Sequence, residues 1–179
     1  DPDTVGITRE AFHEFNLERV RRTPHTLNAT ATHDTKRGED TRVRIGVLTE
    51  LADEWEHQVR LWRRINRRHK RRAGAARVPL ANDEYFLYQT LTGALPFTGV
   101  DDTFRSRIRE YMVKAVREAK EHTAWIKPDT EYETACLSFV DALLTEGDNP
   151  FLPLFITFQR KVAFYGLFNS LSQTLLKIA

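Results

Sequence analysis

Apolar side chains recur every three or four residues along most of this 179-residue chain. Trp55, Val59 and Trp62 show the pattern clearly. This spacing puts side chains on one side of an α-helix, so the sequence predicts an all-α, multi-helix fold. Asp53 and Asn82 are expected N-caps, because a short polar side chain can accept hydrogen bonds from the first helical turn. The predicted helices begin near Thr8, Lys36 or Glu39, Asp53, Asn82, Asp101 or Asp102, Tyr132, and Asn149.

One segment departs from the helical pattern. Leu27–Thr32 is short, uncharged and composed mostly of threonine and alanine, and it is the one convincing strand candidate. We therefore expect a short strand or extended segment near residues 26–33. A dense polar cluster, residues 33–40, follows at once. In barrel enzymes catalytic side chains lie where strands end, so this change of composition predicts a functional site.

The residues of the polar cluster allow two interpretations. Asp34 could accept paired hydrogen bonds from sugar hydroxyls, with His33 providing one more contact. Alternatively, the cluster starts a helix, with Asp34 as its cap and with Glu39 and Asp40 near the positive end of the helix dipole. Residue chemistry alone leaves both interpretations open.

Composition narrows the class of protein. Hydrophobic residues make up 41% and charged residues 29% of the chain, as in globular domains, and the net charge is only +2. Apolar runs are too short for a membrane span. Cys136 is the single cysteine, so a reducing, cytoplasmic location is expected, and its apolar helical surroundings predict a core position. The first residue is not methionine, which leads us to expect a piece of a longer protein or a processed product.

Neither a metal nor a cofactor is predicted. The six histidines lack the spacing of a metal site, and the chain has no glycine-rich phosphate loop.

The segment 60–72 is strongly basic, with seven arginines and one lysine. One interpretation is an Arg-rich helix that binds nucleic acid or another acidic partner. The other is the solvated end of an amphipathic helix, with Trp55, Val59 and Trp62 pointing inward. No recognised nucleic-acid motif accompanies the run, which favours the second interpretation.

Trp125 follows His122 in a predicted turn. Its ring could stack on the face of a sugar, or it could pack in the core, and the sequence leaves both possibilities open.

Several segments resemble one enzyme family. Residues 32–40, Thr-His-Asp-Thr-Lys-Arg-Gly-Glu-Asp, resemble the signature of maltooligosyl trehalose synthases, which are α-amylase-family enzymes with a (β/α)8 barrel. Further similar segments, in the same order as in that family, are 12–16, 43–50 with Trp55, 82–91, 111–120, and 122–126.

The resemblance implies a reaction and a role for four residues. The family converts the reducing-end α-1,4 linkage of a maltooligosaccharide into an α,α-1,1 linkage. Asp34 would be the transition-state-stabilising carboxylate at the end of barrel strand seven, with His33 beside it on the sugar. Lys36 and Arg37 match the same motif and would contact the substrate.

The resemblance also implies a division of the chain. Residues 1–35 would be a remnant of the barrel, with parts of helix six and strand seven, and residues 36–179 would be a helical insertion domain. The family's nucleophile and acid/base lie in motifs that this chain does not contain, so the isolated chain is expected to be inactive. The phenylalanine-rich last helix is expected to expose apolar surface and to promote self-association.

Overall fold

The computed structural model describes residues 6–145, 147 and 149–178. Within these residues the chain is mainly helical, as predicted, and it also has one small antiparallel sheet that was not predicted. The elements are α1 (Arg9–Arg22), α2 (Glu39–Val47), α3 (Ala52–Asn66), a 3-10 helix (Arg67–His69), β1 (Arg71–Ala73), β2 (Ala76–Val78), α4 (Ala81–Ala94), α5 (Asp102–Ala119), α6 (Thr130–Leu144) and α7 (Phe151–Ile178). The chain divides into two compact units, the first ending at Thr35 and the second beginning at Lys36.

The first unit contains α1 and an irregular segment. Thr8 caps α1, because its hydroxyl oxygen accepts a hydrogen bond from the Ala11 N–H at 3.2 Å. The helix ends at Arg22, two residues before Pro24. Of the short strand or extended segment expected near residues 26–33, the strand does not form: Leu27–Thr32 has no strand pairing and no regular secondary structure, with a bend at Thr30. A strand needs a neighbouring strand for its N–H and C=O groups, and the described part of this unit supplies none.

The core of the second unit is built around Trp62, which is fully buried. Its indole makes edge-to-face contacts with Tyr88 of α4 at 5.4 Å and with Phe155 of α7 at 5.2 Å between ring centroids. Trp55 and Val59 are also buried, which confirms the predicted apolar face of α3. Such aromatic contacts add directional attraction to the burial of apolar area.

Helix α2 packs between α4 and α7 at two glycines. A Cβ at Gly93 of α4 would lie 2.6 Å from Thr41 Cγ2, and one at Gly166 of α7 would lie 2.7 Å from Arg44 Cγ. Only glycine permits so close an approach of the backbones. Arg44 also donates hydrogen bonds to the Gly93 and Leu95 carbonyls at 3.3 and 2.9 Å, so it satisfies carbonyls at the end of α4.

Two expected helix caps are wrong. Asp53 lies inside the first turn of α3, which follows Leu51, and Asn82 lies inside the first turn of α4, which follows Leu80. Each helix therefore begins earlier than the polar residue suggested. Asp101 does cap α5, because its carboxylate accepts from the Phe104 N–H at 2.6 Å.

The Arg-rich helix predicted over 60–72 is also wrong in extent. The helix ends at Asn66, and the run continues through the 3-10 helix into a hairpin whose turn is formed by Gly74, at φ +56°, and Ala75. Strands β1 and β2 pair there, with Arg71 opposite Val78. Glycine reaches this left-handed conformation without a Cβ clash, which lets the chain reverse.

Among the described residues, no helix is both long enough and apolar enough to cross a membrane.

Candidate functional site

His33 and Asp34 occupy the two central positions of a tight turn. The Thr35 N–H donates to the Thr32 carbonyl at 3.0 Å, and the Thr35 hydroxyl accepts from the Thr32 N–H at 2.9 Å. The Asp34 carboxylate lies 3.3 Å from His33 Nε2, and the two side chains are 84% and 92% exposed. The turn therefore presents a carboxylate and an imidazole together, with oxygen atoms accessible to sugar hydroxyls.

The helix-start interpretation of this cluster is wrong for Asp34. Helix α2 begins at Glu39 with Gly38 in the N-cap position, so Asp34 lies outside the helix. Glu39 and Asp40 do lie in the first turn, where the helix dipole favours negative charge.

Lys36 and Arg37 line a groove of about 420 Å³ in the second unit, beside α4 and α5. Lys36 Nζ lies 3.3 Å from a carboxylate oxygen of Glu118. The Arg37 guanidinium lies 5.0 Å from the centre of the Phe86 ring and donates weakly to the Thr90 hydroxyl at 3.4 Å. These contacts hold the side chains of Lys36 and Arg37 near the N-terminal end of α2.

One face of α5 completes the groove, and we did not predict it from the sequence. Arg107, Glu110, Tyr111 and Lys114 line it together. Tyr111 stacks on Phe86, with ring centroids 5.8 Å apart and ring planes at 17°. The spacing of these four residues is that of a single helix face, so the signal was present in the sequence. The face is polar and aromatic, which suits a ligand with many hydroxyl groups.

Trp125 lies on the loop between α5 and α6 and is not among the side chains that line this groove. The ring is 55% exposed, so the core interpretation is wrong. The Arg117 guanidinium lies 4.8 Å from the ring centre. Arg117 also donates two hydrogen bonds of 2.7 Å to the Glu133 carboxylate. This paired contact lowers the pKa of Glu133 despite its burial and raises the pKa of Arg117.

Cys136 is buried, as predicted, and burial raises the pKa of its thiol to about 12. Its side chain is therefore a thiol at neutral pH and is unsuited to act as a nucleophile. Among the described residues, no group of three or more histidine, cysteine, aspartate or glutamate side chains is placed to hold a metal ion.

The basic run is partly neutralised by buried acid. Glu84 is almost completely buried, and its carboxylate lies 2.7 Å from Lys70 Nζ and 3.5 Å from Arg63 Nε. The Tyr88 hydroxyl donates to the same carboxylate at 2.8 Å. Burial and the negative charge of Glu84 raise the pKa of Tyr88. Part of the positive charge that suggested an acidic partner thus stabilises the fold instead.

Comparison with known proteins gives consistent matches. A curated protein of Mycobacterium tuberculosis, whose assignment as a maltooligosyl trehalose synthase is itself inferred, is 35% identical over 145 residues, or 80% of this chain and 18% of that protein. A crystal structure of a maltooligosyl trehalose synthase matches 99% of this chain and 23% of its own, with a TM-score of 0.85 and 38% identity. The synthase of Arthrobacter ramosus matches 93% of this chain and 20% of its own, with a TM-score of 0.71 and 28% identity. No family model matches the chain.

The chain spans about a fifth of the length of each of these relatives. Its fold and these matches therefore correspond to a helical segment of a large enzyme. The chain belongs to the maltooligosyl trehalose synthase family. The matches support the carbohydrate interpretation of the sequence and give no support to the nucleic-acid one.

Proposed function

We propose that this chain contributes one catalytic carboxylate and part of the substrate site to a maltooligosyl trehalose synthase. The observation that carries the proposal is the structural match with 38% identity over 99% of the chain, which extends over both units. The reaction would convert the reducing-end α-1,4 linkage of a maltooligosaccharide into an α,α-1,1 linkage. The substrate class is thus a linear glucan, and we infer a cytoplasmic enzyme.

The stereochemistry of this reaction sets the number of carboxylates. The α configuration is retained, which requires a nucleophile and an acid/base about 5–5.5 Å apart on the two sides of the scissile bond. In our proposal both belong to barrel segments outside this chain. Asp34 would be the third carboxylate, whose oxygens accept hydrogen bonds from ring hydroxyls and favour the distorted sugar of the transition state.

The neighbours of Asp34 have supporting roles. The exposed His33 imidazole would contact the same sugar, and Lys36 and Arg37 would contact the adjacent glucose unit from the groove. Because Lys36 Nζ already lies near Glu118, substrate hydroxyls would have to share or replace that contact. We assign residues 1–35 to the barrel and residues 36–179 to a helical insertion domain.

A chimeric enzyme tests the proposal. The segment of the 38%-identical synthase that matches this chain would be replaced by residues 1–179, and maltooligosyl trehalose formation from maltopentaose would be followed by chromatography. We expect a folded, active chimera, and we expect Asp34→Asn to lower kcat by about 100-fold or more, the usual loss for one electrostatic stabiliser. The isolated chain should give no product.

The matched control is Asp40→Asn. Asp40 lies six residues after Asp34 in the same polar cluster and has no catalytic role in the proposal. Asp40 accepts a hydrogen bond from Ser170 and should be dispensable for turnover. Near-normal activity of the Asp34→Asn chimera would contradict the proposal, as would product formation by the isolated chain.

A further inference from the structure

The tip of the α5–α6 loop presents two apolar side chains to solvent. Ala124 and Lys127 exchange two backbone hydrogen bonds of 3.1 Å, which leaves Trp125 and Ile126 at the centre of a tight turn. Trp125 is 55% exposed and Ile126 is 98% exposed, whereas Trp55 and Trp62 are buried. Exposing such residues forgoes the free energy of burial, so a hydrogen-bonded tip of this kind is often a contact site.

The Arg117 side chain covers one face of the Trp125 ring. The Arg117 guanidinium lies 4.8 Å from the ring centre, within the range of a cation–π contact. Arg117 is itself fixed, because Nε and Nη2 donate to the two carboxylate oxygens of Glu133 at 2.7 Å each. A bidentate pair fixes the plane of the guanidinium as well as its position.

Glu133 and Thr123 connect this arrangement to the base of the loop. Glu133 is buried, and its Oε1 also accepts a hydrogen bond of 2.6 Å from the Thr123 hydroxyl. The Thr123 hydroxyl in turn accepts from the Asp129 N–H at 2.9 Å. A continuous series of contacts therefore links the first turn of α6 to the exposed Trp125 ring. The buried Glu133 carboxylate and the Arg117 guanidinium lie between them.

We propose that Arg117 is a positioning residue that holds Trp125 as a stacking platform for a glucose unit of a maltooligosaccharide. The inference rests on the proposed function for the class of ligand. A glucose ring presents C–H groups on one face, and these groups pack on the electron-rich face of an indole. Fixing the ring before the sugar binds lowers the entropy that binding must overcome. Trp125 lies outside the groove of Lys36 and Arg37, so it would contact the substrate at a separate point.

Tryptophan fluorescence of this chain tests the platform directly. Trp125 is the one exposed tryptophan, so maltoheptaose should change its emission and leave that of the buried Trp55 and Trp62 unchanged. We expect Trp125→Ala to abolish the change. We expect Arg117→Met to weaken maltoheptaose binding about two- to fivefold, the range of an exposed cation–π contact.

Time-resolved anisotropy of the indole separates positioning from general stability. In Arg117→Met the ring of Trp125 should move more freely before any sugar is added. The matched control is Arg109→Met, which removes another arginine of α5 that pairs with an acid of α6, Asp141. Within the described part of the chain, Arg109 makes no cation–π contact. This control should leave both the anisotropy and the affinity for maltoheptaose unchanged. Arg117→Lys, which keeps the charge but not the paired hydrogen bonds, should give an intermediate anisotropy.

Each outcome has a defined meaning. No response of the wild-type chain to maltoheptaose, by fluorescence or calorimetry, would overturn the platform. Unchanged affinity and anisotropy in Arg117→Met would overturn the positioning role, and if that variant does not fold, the same result in Arg117→Lys would do so. An active chimera that still depends on Asp34 would show that the proposed function survives either failure.

Discussion

Gly93 is the residue at which α4 approaches α2 most closely. A Cβ there would lie 2.6 Å from Thr41 Cγ2, 3.1 Å from the Thr41 carbonyl oxygen and 3.2 Å from Ile45 Cδ1. The side chains could rotate away, but the carbonyl belongs to the α2 backbone and could move only with the helix. Gly93 therefore lets α4 approach α2 closely, and these two helices form the wall of the groove beside Arg37.

We expect Gly93→Ala to lower the free energy of unfolding by about 1–3 kcal/mol, the cost of inserting a methyl group into a packed interface. The control is Gly46→Ala in α2, where a Cβ would meet no atom within 4 Å. That change should be neutral or should stabilise by about 0.5–1 kcal/mol, because alanine is the better helix former. Urea denaturation followed by circular dichroism measures both, and equal midpoints for the two variants would contradict this account of the packing.

At the scale of elements, prediction succeeded where the signal was local. The apolar faces of α3 and α7 were visible in the sequence, because helical periodicity is set by residues within one turn of each other. Strand formation depends instead on whether a second strand pairs with the first, which composition alone does not show. Thus Leu27–Thr32 has strand-like composition and no strand, whereas the arginine-containing β1 pairs with β2 across Gly74.

The same distinction applies to the candidate site. His33, Asp34, Lys36 and Arg37 were found because one contiguous motif contains them. The α5 face was missed because charged residues at helical spacing look like an ordinary solvated face until α2 and α4 pack beside it. Arg117 and Glu133 were missed because 16 residues separate them, and only the packing of α5 on α6 brings them together.

The Arg117–Glu133 pair joins α5 to α6 and should make stability depend on pH. The pKa of Glu133 in the folded chain lies below its usual value of 4.5, mainly because Arg117 donates hydrogen bonds to the carboxylate. The pair's contribution is therefore complete above about pH 4.5 and is lost as the pH falls through the folded-state pKa. The hydrogen bonds to Glu133 raise the pKa of Arg117 still further, so the guanidinium stays charged throughout this window.

We expect Glu133→Gln to be less stable than the wild type at pH 7, with the difference shrinking as the pH falls below about 4.5. Urea midpoints measured from pH 7 to pH 3 give the comparison. A difference that stays constant over the whole range would contradict the assignment of this pH dependence to Glu133.

At the scale of the whole molecule, α7 changes character along its length. Its 28 residues extend about 42 Å at 1.5 Å per residue. The first part is buried at Phe151, Phe155 and Phe158, as expected for a central helix. The second part packs one side on α2, where Ser170 donates to Asp40 at 2.6 Å. Its remaining surface exposes apolar side chains, namely Phe164, Tyr165, Leu167, Phe168, Leu171, Leu175, Leu176 and Ile178.

We propose that this surface of α7 causes the isolated chain to self-associate. Phe164 packs edge-to-face on Phe168 with centroids 5.1 Å apart, so a preformed aromatic pair lies in the N-terminal part of the exposed stripe. Replacing both by serine should weaken association by about tenfold or more in sedimentation velocity over a concentration series, since aromatic anchors dominate such contacts.

The matched control, Phe12→Ser with Phe15→Ser, removes two α1 rings of similar exposure, 54% and 62% against 54% and 52%. Among the described residues, Phe12 and Phe15 form no ring contact with each other, unlike Phe164 and Phe168. The control should therefore associate like the wild type. A wild-type chain that stays monomeric at high concentration, or a control that loses association as fully as the α7 variant, would contradict the role of this surface.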